Sequence, residues 1–234
     1  MENLKQPIVK LAAVACFAGC GAIASADTVT MRYVTNTGLN NINLAGGSDH
    51  NGNQSAGHLT YQVQGGNSFN TFCIELGEFT SGSNLDYEIV DLSQAPNPGD
   101  PGMYGSAVAN KVVAVIAKAI DNGWIDINLQ ATPGAIDNET NADRMSAIQG
   151  AIWAQLFGAT ATSSDSDVSD RLGELDLTNL RQDTSTFYLM QNRLRAAVND
   201  GAQDQLYVVP LPTSVWAGLG MLGGLAGIRI ARRR

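Results

Sequence analysis

Both ends of the chain are apolar with basic flanks, so the fold must come from the middle. Near the start, Lys5 and Lys10 precede the apolar stretch 11–18, and small residues lead to Ala24-Ser25-Ala26 before Asp27. A basic segment, a short apolar one and an Ala-x-Ala site form a secretory signal peptide, with cleavage expected after Ala26. Phe17-Ala18-Gly19-Cys20 offers a competing lipobox-like cut that would lipidate Cys20, but Phe stands where Leu is usual. Near the end, residues 211–228 carry no charge, and Arg229 and Arg232-Arg233-Arg234 follow. About 18 apolar or small residues are enough for one membrane span, and the arginines would hold its end in the cytoplasm. The expected division is a signal peptide at 1–26, an exported domain at 27–206 and a sorting segment at 207–234.

The tail has a particular order: Val209-Pro210-Leu211-Pro212, one span, a basic stub. It resembles the PEP-CTERM sorting signal, here in a Val-Pro-Leu-Pro form. The resemblance implies processing by an exosortase after signal peptidase, with the C-terminal helix holding the chain in the membrane beforehand. It also implies delivery to the cell surface or extracellular matrix. It concerns destination, not activity.

The middle is strongly acidic. The chain has 14 basic and 22 acidic residues, and the two end segments hold Lys5, Lys10, four arginines and Glu2. The remainder carries 8 basic and 21 acidic residues, a net charge of −13. Such a body repels nucleic acid and anionic membrane faces, so no nucleic-acid partner is expected. The low aromatic share, 6 %, gives no sign of a stacked sugar-binding cleft.

Cys16 and Cys20 belong to the signal peptide, which leaves Cys73 alone in the mature chain. A single cysteine cannot close an internal disulfide. In an exported protein it suggests intermolecular pairing or a thiol with a task, against the plainer role of a small buried hydrophobe. Phe72, Ile74 and Leu76 alternate with Thr71, Cys73 and Glu75, which reads as a strand with Cys73 turned away from the Phe72 face. On such a strand Glu75 and Glu78 would lie on opposite faces. Residues 141–157 read as a helix, capped by Thr140 or Asn141 and closed by Gly158. Met145, Ile148, Ile152 and Leu156 form its apolar stripe, and Gln149 and Trp153 lie along it. A glutamine amide facing a core must find a partner or cost a few kcal/mol.

Phe72-Cys73-Ile74-Glu75 and Ile148-Gln149-Gly150-Ala151-Ile152-Trp153 together resemble the thioester domains of bacterial surface adhesins. In that family a strand cysteine and a helix glutamine condense with loss of ammonia. The resemblance implies a Cys73–Gln149 crosslink, shielded from water by Phe72 and Trp153. This chain departs from the pattern at Ile148, where Thr is usual, and at Glu75, where Asp is commoner. A thioester is an activated acyl group that an amine on a partner can attack. The protein would act once and stay attached, so it would not be an enzyme in the turnover sense. The alternative is a non-reactive structural protein of an exopolysaccharide or biofilm matrix.

Residues 27–34, 58–64, 85–92 and 205–209 alternate like strands, and 36–57 is rich in Gly, Asn and Ser and reads as a connection. The Pro96–Gly102 run reads as a rigid loop. Residues 106–121 and 186–198 read as two further helices. The fold class expected is α+β: a β-rich sandwich or barrel-like domain with about three helices inserted. Asp165, Asp167, Ser169, Asp170 and Asp176 echo a calcium loop in spacing but lack its glycine, so a solvated acidic loop is the expectation. His50 and His58 have no matched ligand set, and no cofactor or metal is expected. Neither a phosphate loop nor a Ser/His/Asp pattern stands out, so no catalytic residue is assigned.

Overall fold

The computed structural model describes residues 27–47, 51–97, 102–132 and 138–209. The expected signal peptide, His50, the motif residues Pro210, Leu211 and Pro212, and the expected span lie outside these. Among the described residues no helix is long and apolar enough to cross a membrane.

The architecture is a β-rich, nearly closed sheet with helices against it. The chain runs β1 (Asp27–Ala45), β2 (Gly52–Val63), β3 (Ser68–Thr71), β4 (Leu85–Asp91), β5 (Pro96–Asn97) and β6 (Gly102–Met103). It continues with α1 (Gly105–Asp121), α2 (Asn138–Phe157), β7 (Thr160–Thr162), α3 (Ser166–Leu175), α4 (Ser185–Arg193), β8 (Leu194–Val198) and β9 (Gln205–Val208). The main sheet is antiparallel in the order β3-β2-β1-β4-β8-β9, with β7 added on β1.

Residues 36–57 are not simply a connection. Residues 36–45 are the far half of β1 and 52–57 the near half of β2, paired from Asn36↔Leu59 to Leu44↔Gly52. Only Ile42, Leu44 and Ala56 in that stretch send apolar side chains into the core. Asn41, Asn53 and Ser55 are exposed, so turn-forming composition masked a half-exposed hairpin. The helix expected at 186–198 is also split. Thr184 caps α4 by accepting from the Phe187 N–H at 3.0 Å, and the chain turns extended at Leu194 to pair with β4 and β9. The acidic stretch from Asp165 is a helix, not a loop: Asp165 Oδ1 accepts from the N–H groups of Asp167 and Val168. Val168 and Leu175 are buried one face apart from the acids. The Pro96–Gly102 run begins and ends in the short β5–β6 ladder.

Helix α2 lies across β1 and β2 on a small, polar track. Asp143 accepts from Asn40 Nδ2 at 2.8 Å, and Ser146 Oγ donates to the Ala56 carbonyl at 2.8 Å. A Cβ at Gly38 would overlap Ala142, and one at Gly150 would press on Ile42. Glycine at these two places lets helix backbone and sheet approach closely. The same track, continued by one turn, sets Gln149 and Trp153 against the sheet.

The two edge strands, β3 and β9, almost close the sheet into a barrel. At one end they are joined: Leu206 N–H donates to the Phe72 carbonyl at 2.9 Å, and Ile74 N–H to the Asp204 carbonyl at 3.0 Å. The Thr71 hydroxyl donates to the Leu206 carbonyl, and Cys73 bridges Gln205. At the other end the strands part, and Phe69 and Tyr207 face each other edge to face with ring centres 5.6 Å apart.

Candidate functional site

β3 ends at Thr71, so Cys73 is not in the body of a strand. It sits in a single bridge to Gln205, just before the chain turns away. Phe72, Cys73 and Ile74 are all buried. Alternation therefore failed as a guide to exposure here, because both sides of the segment are covered. The Tyr104 hydroxyl holds the turn by donating to the Ile74 carbonyl at 2.6 Å.

Gln149 reaches Cys73 from α2, which begins at Asn138; Thr140 and Asn141 lie inside its first turn rather than capping it. The glutamine is buried, and its carboxamide is bound at both atoms by one residue. Cys73 N–H donates to Oε1 at 2.9 Å, and Nε2 donates to the Cys73 carbonyl at 2.8 Å. The expected partner for a core-facing amide is thus the main chain of Cys73. That residue lacks neighbouring strands on this side, and the side chain supplies the two bonds a sheet would have made.

Cys73, Gln149 and Trp153 line one cleft of about 210 Å³, with Glu78, Phe79 and Gln203. Trp153 is buried, and its indole N–H has no hydrogen-bond partner of regular geometry. Phe79 is 90 % exposed. Phe72 does not share this lining. Its ring is stacked on His58, with centres 4.8 Å apart, on the core side.

Burial pushes the Cys73 thiol up to about 12; the Trp153 indole and the Glu75 backbone N–H act the other way by favouring thiolate. A thiol so placed is mostly protonated at neutral pH and a weak nucleophile until a proton acceptor is offered. Glu75 and Glu78 do not point apart, since their segment is not a strand. With Asp204 they form a carboxylate group beside the cleft: Glu75 Oε2 accepts from the Asp204 N–H at 3.4 Å. Burial raises Asp204 to about 7, and the charges of Glu75, Glu78 and Asp200 add to this. Sequence reading had no means of finding Asp204, which is brought in by the β8–β9 turn.

The calcium-like spacing yields no site, because its first residues form the α3 cap and first turn. Among the described residues no group of three or more His, Cys, Asp and Glu could hold a metal ion. Val209, the first residue of the Val-Pro-Leu-Pro motif, is described; its N–H donates to the Arg193 carbonyl at 2.9 Å, which ties the chain to the domain at that point. Comparison with protein-family models, curated proteins and solved structures finds no match.

The arrangement has a definite chemical capacity. If Cys73 Sγ attacks the Gln149 carboxamide carbon, negative charge develops on Oε1, where the Cys73 N–H already donates. A donor preplaced at a developing oxyanion is the largest single aid in acyl transfer. The S–C bond forms, the C–N bond breaks, and Nε2 leaves as ammonia with the thiol proton. In the product the Cys73 carbonyl loses its donor.

Proposed function

We propose that this is an exported cell-surface or extracellular-matrix protein that attaches covalently to partner amines through a thioester between Cys73 and Gln149. The observation that carries the reading is the grip of the Cys73 main chain on the Gln149 carboxamide, beside Trp153 in a shared cleft. An amine attacking the thioester carbon would form an amide at Gln149, break the C–S bond and leave Cys73 as a thiol. The reaction occurs once per molecule. The PEP-CTERM-like tail would direct sorting by an exosortase after signal-peptide removal.

A second reading has its own support. Both atoms of the carboxamide are already satisfied, and burial holds the thiol protonated. In that case Gln149 is a lock that fastens α2 to the barrel seam, and the protein is a non-reactive matrix component.

Intact mass separates the two. With a thioester, the protein is lighter than its sequence by one ammonia, and methylamine restores the mass plus one methylene while freeing Cys73 for alkylation. Cys73→Ala and Gln149→Ala each abolish both changes. Full sequence mass, with Cys73 open to alkylation under denaturing conditions before any amine is added, establishes the lock. For sorting, Pro210→Ala with Pro212→Ala should leave the protein full-length in the membrane; normal processing of that variant would refute the exosortase assignment.

A further inference from the structure

The parted end of the barrel seam forms a second cavity, of about 430 Å³, away from Cys73 and Gln149. Phe69 and Tyr207 line it, with Asn67, Asn70, Asn128 and Gln130. No Asp, Glu, Lys or Arg is among its lining residues, although the chain is rich in acids. We infer that this groove binds a neutral saccharide chain, with sugar rings against Phe69 and Tyr207 and hydroxyls on the four carboxamides.

The chemistry of the lining favours that occupant. An aromatic face carries negative charge density and attracts the weakly positive C–H face of a pyranose. A carboxamide has donors and an acceptor side by side, which suits neighbouring hydroxyls. The lining itself offers a phosphate or uronate no cation and an ammonium no carboxylate; Arg193 and Asp126 stand behind it, engaged in holding the loop. The chain as a whole is negative, which further disfavours anionic polymers. The low aromatic share is an average over the whole chain, whereas a groove needs only two rings in one place.

The site is also held in shape before any ligand arrives. The 126–130 loop is wound around Asp126, whose Oδ1 accepts from the N–H groups of Asn128 at 2.8 Å and Gln130 at 2.9 Å. Buried Arg193 fixes the same loop, donating to the Ile127 carbonyl at 3.0 Å and to Asn128 Oδ1 at 3.0 Å. Asn70 Oδ1 is set by the Thr60 hydroxyl at 3.0 Å. Such preorganisation lowers the ordering cost that usually weakens sugar binding.

The test is an amide NMR titration of the full chain with cellohexaose, maltohexaose and mannohexaose, each to about 10 mM, where even weak sites fill. A trigalacturonate and a neutral, threonine-rich decapeptide serve as comparison ligands. At least one neutral hexasaccharide should shift the signals of residues 66–70, 128–130 and 207–208 together. Tyr207→Ala should weaken that binding roughly tenfold, while Tyr207→Phe keeps it. Asn67→Ala, at an exposed position, should weaken it without disturbing the fold. Cys73→Ala should bind as the wild type does, so the result is independent of any thioester. No shift with any neutral sugar, equal binding of trigalacturonate, or a response to the peptide alone would overturn the inference.

Discussion

Strands β3 and β9 meet at two ends, and the ends behave oppositely. Where 71–74 meets 204–206, main-chain bonds cross directly and the segment is sealed. Where 68–70 faces 207–208, side chains meet and a groove remains. The sealed end is completed by a third party, because Gln149 of α2 bonds the Cys73 main chain on the side no strand covers. The open end has no helix glutamine to do this. A sheet edge can thus be finished either by a borrowed side chain or by leaving room for a ligand.

The largest effect should come from breaking the borrowed pair. Gln149→Leu keeps the volume close but strands the Cys73 N–H and carbonyl in a buried place. Each orphaned group costs about 1–3 kcal/mol, so the variant should lose about 3–5 kcal/mol in denaturant unfolding. A loss below about 1 kcal/mol would mean the sealed end does not depend on α2. The prediction applies to protein with an intact carboxamide; a thioester-bearing sample should first be opened with methylamine.

A second test uses pH. Burial lowers His58, beneath Phe72 at the sealed end, to about 4, with the Leu129 backbone partly opposing. Unfolded, it takes up a proton near 6.5, so its contribution to stability is lost as pH falls from about 6.5 towards 4. Asp204 has the opposite sign. Raised to about 7, it penalises the folded state at high pH, and the penalty is relieved as pH falls through 7. Glu75, raised by burial, acts in the same sense as Asp204. The wild type should therefore vary little between pH 8 and 5. Asp204→Asn, which keeps an acceptor for the Asn199 N–H, should uncover the histidine and lose about 1–2 kcal/mol over that range. His58→Phe should instead become more stable on acidification. Parallel curves for all three proteins would show that neither group is buried as described.

At the open end the expected losses are smaller. Tyr207 is half-buried and stands edge to face with Phe69. Tyr207→Ala should cost about 1–2 kcal/mol in the same unfolding assay, and Tyr207→Phe almost nothing. A loss equal to that of Gln149→Leu would make the two ends energetically alike and end the comparison.

These differences bear on what the sequence could reveal. α1 and α2 were legible because Val112, Val115 and Ile116, and Met145, Ile148 and Ile152, repeat at helical spacing and are buried. The partnering of Gln149 was legible too, since an amide on an apolar stripe must be satisfied and a strand edge can satisfy it; that one residue, Cys73, would bind both of its atoms was not. The long β1–β2 hairpin was hidden by the many Asn and Gly residues in it, some exposed and some packed under α2. α3 could have been found: Asp165 as cap, followed by Val168, Leu172 and Leu175, is a short amphipathic helix, but the density of acids drew the reading towards a solvated loop. The Phe69–Tyr207 groove and the Glu75, Glu78, Asp204 group join residues more than a hundred positions apart, and only closure of the sheet brings them together.

The smallest effect tests whether the cleft at the sealed end is truly open. Phe79 lines it yet is 90 % exposed, so its ring is not buried in the fold. Phe79→Ser should change stability by no more than about 0.5 kcal/mol, the usual range for surface positions. A loss above about 1 kcal/mol would imply that the ring folds over the cleft in solution and shields Trp153 and Cys73 from water. The same variant would then let methylamine or an alkylating reagent reach Cys73 faster than in the wild type. An unchanged stability together with an unchanged rate would leave Trp153 as the aromatic cover of the sulfur, and would place Phe79 outside the barrier to water.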